Sequence, residues 1–230
     1  MPKRTRAIKH SDRKKAWARR KTSSKPYVLE SKEQAKLFLI ICEGENTEPT
    51  YFKSFPLGNA TVESYGLGSS KTALVRQILQ LLESETDAKQ KEVWVVFDFD
   101  IHPEQIAKQK EDYNNAIALA ETNGLKVAYS NDSFELWFLL HYQPLDTHWT
   151  RHNYYQKLGE LWDCNYEKEG KKIEFCRGIY RRLLEDKAAN QEEAIACAKK
   201  LYEKQQDKHP ADKNPCTTVY QLIQELNKYL

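Results

Sequence analysis

Three continuous apolar runs, each leading into acid, constrain this chain more than any other feature. Leu37-Phe38-Leu39-Ile40-Ile41-Cys42 closes in Glu43-Gly44, and Val93-Trp94-Val95-Val96-Phe97 closes in Asp98-Phe99-Asp100. Val127-Ala128-Tyr129 leads through Asn131-Asp132-Ser133 to Glu135. Runs without polar alternation suit strands covered on both faces, as in a parallel sheet. Open α/β sheets bind ligands at the carboxyl ends of their strands. Carboxylates gathered there repel one another and cost stability unless a cation neutralises them. Hard oxygen donors of this kind suit Mg²⁺ or Mn²⁺.

The rest of the chain places those runs in an alternating pattern. Residues 36–43 form the first strand, and Thr47-Glu48-Pro49 starts a short helix through Tyr51, Phe52 and Phe55, since Pro is tolerated in the first turn. Ala60 to Tyr65 form a second strand. Gly66 to Ser70 make a loop before a helix with Leu74, Ile78, Leu81 and Leu82 on one face. The third strand is Val93 to Asp98. A long helix runs from Pro103 to about Thr122 and stops at Asn123-Gly124. The fourth strand is Lys126 to Ser130, and Ser133 is placed to cap an apolar helix from Phe134 to Tyr142. After residue 143 no further strand is evident. Helices are expected near 151–162, 176–187, 190–205 and 217–229, and Asn165 to Lys172 reads as a polar loop. The fold class is α/β: a mostly parallel sheet flanked by helices, with a helical C-terminal extension.

Charge is distributed unevenly. The first 25 residues carry eleven basic residues against the single acid Asp12, a balance of +10, while the remainder balances to −7. Basic arms of this kind bind nucleic acid through phosphate contacts. Arg13, Lys14, Lys15, Arg19, Arg20 and Lys21 are the candidate contacts, and Trp17 among them offers a stacking surface. A solvated tail is the plainer alternative. The five cysteines are odd in number, widely spread and contain no C-x-x-C pair, which argues against a disulfide framework or a zinc knuckle. With no membrane-length apolar run and no signal peptide, the chain reads as cytoplasmic and free of membrane.

Phosphodiester cleavage needs an activated water and a neutralised leaving oxygen, and divalent ions supply both. Glu43, Asp98 and Asp100 are the strongest candidates to hold one ion, because strand alternation sends Asp98 and Asp100 to one side with Phe99 pointing away. Glu48, Ser133 and Glu135 are candidates for a second. Gly44 lets the backbone approach the site. Each acid also has a plainer role. Glu43 can pair with a Lys, Glu135 can complement a helix dipole, and Ser133 can act only as a cap. Asp132 is an alternative ligand to Glu135. Lys71-Thr72 lacks the full P-loop spacing, yet Lys71 at a helix start can meet a phosphate. His102 and His141 lie near the proposed edge and can shuttle a proton, although a hydrogen-bonded structural role suits both better. His148 and His152 have no partners at metal spacing. Phe134, Trp137, Phe138 and Tyr142 read as core, and Arg177, Arg181 and Arg182 as a solvated helix face.

Glu43-Gly44 after a first strand, with Asp98-Phe99-Asp100 after a later one, resembles the Toprim domain. The wider pattern resembles the RloB-like family. It comprises Ile41-Cys42-Glu43-Gly44-Glu45-Asn46-Thr47-Glu48-Pro49-Thr50-Tyr51-Phe52, Asn131-Asp132-Ser133-Phe134-Glu135-Leu136-Trp137 and Asn214-Pro215-Cys216-Thr217-Thr218. Ser133-Phe134-Glu135 is similar to an element of OLD-type Toprim nucleases that helps bind their second metal. Where related nucleases often carry an acid, four positions after the first Glu, this chain has Thr47, with Glu48 one further on. The resemblance implies a Mg²⁺- or Mn²⁺-dependent endonuclease acting on RNA such as tRNA, or on DNA. It further implies an effector of anti-phage defence working beside an ABC-type ATPase. Glu43, Asp98, Asp100 and Glu135 would then be catalytic, with Glu43 alternatively a general acid or base. The implied organisation is a disordered basic arm at 1–30, a Toprim-like α/β core at 31–145 and a helical region at 146–230 packed on it. Assembly size stays open, a homodimer included. The competing function is a non-catalytic module that binds nucleic acid or docks on the ATPase around a structural metal.

Overall fold

Alternation along the first apolar run sends its side chains into two different cores. In the computed structural model, which describes residues 36–66, 70–84, 91–100 and 103–230, that run is β1 (Lys36–Cys42). β1 lies between β2 (Ala60–Gly66) and β3 (Lys91–Asp98). β4 (Lys126–Asn131) follows β3, and β5 (Cys216–Thr217) closes the five-stranded sheet in the order β2-β1-β3-β4-β5. The first four strands are parallel, and β5 runs antiparallel to β4. Both faces are covered, which is why the central strands are apolar throughout.

Leu39, Ile41, Val93, Val95 and Phe97 point into one core, beneath α2 (Lys71–Ser84) and α3 (Ile106–Thr122). Leu74, Val75 and Ile78 of α2 and Tyr113, Ala116, Ile117 and Ala120 of α3 enter it at helical spacing. α3 ends where Asn123 N–H turns back to Ala120 O at 3.1 Å and Gly124 takes φ 76°, a conformation that glycine adopts without strain.

Phe38, Ile40, Cys42, Trp94, Val96 and Ala128 point into the larger core. It is covered by α1 (Thr47–Lys53), α4 (Glu135–Leu139), α5 (Arg151–Trp162), α6 (Tyr166–Glu169), α7 (Ile173–Glu185), α8 (Gln191–Glu203) and α9 (Val219–Asn227). α4 is too short to be helical by propensity alone. Packing holds it: Phe134, Leu136, Trp137 and Phe138 are wholly buried, and Trp137 Nε1–H donates to the Tyr51 hydroxyl at 3.0 Å. Truncating such a core aromatic costs about 3–5 kcal/mol.

The order of the first four strands and their helices follows the sequence reading. Four details differ. A fifth strand exists, only two residues long, created by the distant pairing of Cys216 and Thr217 with Asn131 and Ser130. The stretch expected to be a polar loop contains α6, whose N-cap Asn165 accepts a hydrogen bond from Lys168 N–H. Ser133 does not cap α4, because its hydroxyl is taken by a carboxylate. β3 stops at Asp98, and Asp100 lies beyond it with φ 52°, so strand alternation does not orient Asp100. The arm residues Arg13, Lys14, Lys15, Trp17, Arg19, Arg20 and Lys21, and also His102, lie outside the described residues. Among the described residues no helix is long and apolar enough to cross a membrane.

Candidate acidic site at the carboxyl edge of the sheet

Register decides which acids meet. Cys42 stands opposite Val96, and Asp98 opposite Ser130, so β1, β3 and β4 end side by side. Glu43 N–H extends the ladder to Val96 O at 2.9 Å. Alternation puts Glu43 in the row of Leu39 and Ile41, toward α2, and Asp98 in the row of Trp94 and Val96, toward α1 and α4. The acids therefore reach one edge from opposite faces of the sheet. They line a cleft of about 400 Å³ with Gly44, Glu45, Asn46, Thr47, Glu48, Ser70, Asp100, Arg151 and Lys171.

On the α2 side, Glu43 Oε1 accepts from Lys71 Nζ at 3.0 Å. Glu43 Oε2 is buried and unpartnered. Burial pushes the Glu43 carboxyl above the usual glutamate range, against the opposing pull of Lys71 and a backbone hydrogen bond at Asp98. Lys71 is the first residue of α2 and nearly buried. It lines a second cleft of about 420 Å³ with Gln105, Lys108, Gln109 and Asp112, and Glu43, Ser70 and Asp100 border both clefts.

On the other side, Asp98 is 7% exposed and its Oδ1 has no hydrogen-bond partner. Burial, reinforced by the charges of Glu48 and Glu135, drives its carboxyl well above the ordinary aspartate range, although Lys171 and Arg151 oppose the shift. Glu48, in the first turn of α1, is 5% exposed, and burial raises it as well. Gly44 makes room for it: a Cβ there would lie 2.7 Å from Glu48 Oε1 and 2.8 Å from its Cδ. Gly66, at the end of β2, would drive a Cβ into the backbone of Gly44 and Glu45. The two glycines let the Glu43–Glu48 segment fold tightly against the sheet edge.

Glu135 is as deep but differently served. It is wholly buried, and Lys171 Nζ (2.7 Å) and Tyr166 Oη (3.1 Å) reach its Oε1. The Ser133 hydroxyl donates to its Oε2 at 2.8 Å. Burial alone would raise its carboxyl, but Lys171, Ser133 and its own backbone N–H outweigh burial and hold it below the ordinary range. Lys171 is correspondingly raised by Glu135 and Glu48, against burial. Asp100 pairs with the Arg151 guanidinium. Asp132 Oδ2 accepts Arg151 N–H at 3.1 Å, at the N-terminus of α5, so it anchors a helix start, where a negative charge is favoured.

The donor set fits a hard divalent ion in chemistry. It offers carboxylate oxygens, two of them buried without a partner, and two acids raised by burial and by neighbouring carboxylates. Its geometry is not closed around one. Among the described residues no group of three or more His, Cys, Asp or Glu side chains is gathered to hold a metal ion. The reason is visible in the pairing: Lys71, Arg151 and Lys171 each occupy a carboxylate.

Of the site candidates, Glu43, Glu48, Asp98 and Asp100 line the cleft. Ser133 and Glu135 form the buried corner beneath Lys171, and Lys71 sits on Glu43. The sequence reading missed Arg151, Lys171 and Tyr166, which come from the helical region, and the exposed Glu45. His141 stands away from this edge. It is buried, its Nδ1 is 2.9 Å from Trp137 O, and burial lowers it to about 4, as suits a structural imidazole. His148 and His152 are exposed. Phe134, Trp137 and Phe138 are core. Arg181 pairs with Glu185, whereas Arg182 donates to Trp162 O at 3.1 Å and lies over the Trp162 and Phe175 rings.

Residues 38–226 match the family described as RloB-like protein, and the chain belongs to that family. No curated protein and no solved structure gives a significant match.

Proposed function

We propose that this protein hydrolyses nucleic-acid phosphodiesters, RNA such as tRNA or DNA, at the acidic edge with Mg²⁺ or Mn²⁺. The observation that carries this reading is Asp98: a buried carboxylate with an unpartnered oxygen, facing a cleft beside two further buried acids. Such a group costs stability unless a cation meets it, and sites that keep that cost are commonly functional. Asp98, Glu43 and Asp100 would hold one ion, and Glu48 with Glu135 a second. A bound ion supplies phosphoryl polarisation, and it lowers the pKa of a water. The chain's own residues do the rest. As the alternative to holding the ion, Glu43, with its raised carboxyl, can take and return a proton in the cleft. Lys71 fixes the position of that carboxyl. Ser133 and Tyr166 orient Glu135.

The Toprim-like and RloB-like motifs support placing this activity in anti-phage defence with an ABC-type ATPase, which co-purification tests. Purified protein incubated with tRNA, single-stranded RNA and DNA in Mg²⁺ or Mn²⁺ should cleave at least one of them. Asp98→Asn and Glu43→Gln should abolish cleavage while remaining folded. Cleavage unchanged in both variants would sink the nuclease reading. The internal pairing of Glu43, Asp100 and Glu135 with basic side chains favours one alternative, a non-catalytic binding module. Nucleic-acid binding without cleavage, unaffected by either variant, would select that alternative.

A further inference from the structure

The acidic edge carries its own competing cations. Arg151 and Lys171 both line the cleft, yet neither belongs to the sheet. Arg151 opens α5, and Lys171 lies between α6 and α7. Arg151 is paired with Asp100, and Lys171 lies 2.7 Å from Glu135. Their side chains are 37% and 45% exposed, so both border solvent while they hold their carboxylates. Their backbones are pinned meanwhile. Arg151 N–H is held by Asp132 at 3.1 Å, and Lys171 O by the Asn46 carboxamide at 3.1 Å.

Building on the nuclease reading above, we propose that Arg151 and Lys171 are exchangeable counter-ions. They neutralise Asp100 and Glu135 when no divalent ion is bound, and turn to the phosphate oxygens of the substrate when one is. A cleft lined by Glu43, Glu45, Glu48, Asp98 and Asp100 repels a polyanion in its unloaded state. A divalent ion and a basic side chain compete for the same carboxylate oxygens, so loading the edge releases positive charge into the cleft. A guanidinium matches two phosphate oxygens, and an ammonium offers three rotatable donors. Binding of metal and of nucleic acid are then coupled, and each raises the affinity for the other.

The exchange predicts opposite effects of one substitution on two ligands. Arg151→Gln removes a competitor of the metal and a ligand of the phosphate. Its Mn²⁺ Kd, measured by electron paramagnetic resonance of free Mn²⁺, should fall about tenfold. In saturating Mn²⁺ its Kd for a nuclease-resistant phosphorothioate single strand should rise about tenfold, and the salt slope should drop by about one. Lys171→Met, checked for folding by circular dichroism, should move both constants in the same directions. A folded Arg151→Gln protein that binds Mn²⁺ no more tightly than wild type, or keeps its oligonucleotide affinity, overturns the exchange. If wild type binds Mn²⁺ in an Asp98-dependent way while these variants change nothing, only the exchange falls. If wild type binds no Mn²⁺, the nuclease reading falls and takes the exchange with it.

Discussion

Two corners of the same edge bury carboxylates and treat them in opposite ways. Glu135 is wholly enclosed, yet Lys171, Ser133 and Tyr166 serve it, and its carboxyl is held low. Asp98 is nearly as enclosed, has an unpartnered oxygen and faces two acids, and its carboxyl is driven up. Burial is common to both, so partners decide the outcome. The first corner is neutralised by the chain's own cation, while the second needs something added.

The largest expected effect comes from breaking the neutralised corner. Lys171→Met leaves Glu135 buried without its cation. Unpairing a buried ion costs about 3–5 kcal/mol, and the exposed Lys171 stem places this case at the low end, ~3 kcal/mol. Urea denaturation measures it, and a loss within error of zero would show that Glu135 does not depend on Lys171. Next come the glycines that shape the open corner. Gly66→Ala meets backbone and should cost about 1–3 kcal/mol. Gly44→Ala meets only the flexible end of Glu48, and should cost less than ~1 kcal/mol, near the surface-substitution range. Equal costs for the two would contradict the packing described at this edge.

Asp98→Asn should work in the other direction and stabilise the fold by about 1 kcal/mol at neutral pH, because it removes an uncompensated buried charge. Its pH dependence sharpens the contrast. Asp98 binds its proton more tightly folded than unfolded. Its contribution is therefore full below the unfolded value, near ~3.9, and is lost as pH rises through the raised folded value. The advantage of Asp98→Asn over wild type should widen as pH climbs above about 4. Glu135 behaves inversely. Its contribution is present above the unfolded value, near ~4.3, and is lost as pH falls through its lowered folded value. The deficit of Glu135→Gln should therefore shrink on acidification. Thermal melts across pH 3 to 8, roughly the span that brackets these carboxyls, would show both trends, and parallel trends in the two variants would break the comparison.

The open corner was legible in the sequence, and the neutralised one only in part. Glu43 and Asp98 stand directly after apolar runs, so strand, sheet and edge follow from local pattern. Alternation along those strands also places them on opposite faces, once the register of β1 against β3 is known. Lys171, Arg151 and Tyr166 have no such signal. They reach the edge because α5, α6 and α7 pack on the larger core, which is a long-range outcome. Asn165, as an N-cap, was the one local hint that the segment holding Lys171 contains a helix. β5 was hidden for a related reason: two residues have no periodicity, and only pairing with β4 makes them a strand.

Mn²⁺ uptake by wild type and Asp98→Asn, measured side by side on folded protein, is the most direct test of the claim that the open corner awaits a cation. Saturable binding by wild type that is lost in Asp98→Asn is the predicted result. Equal uptake by the two proteins, or none by either, would contradict it.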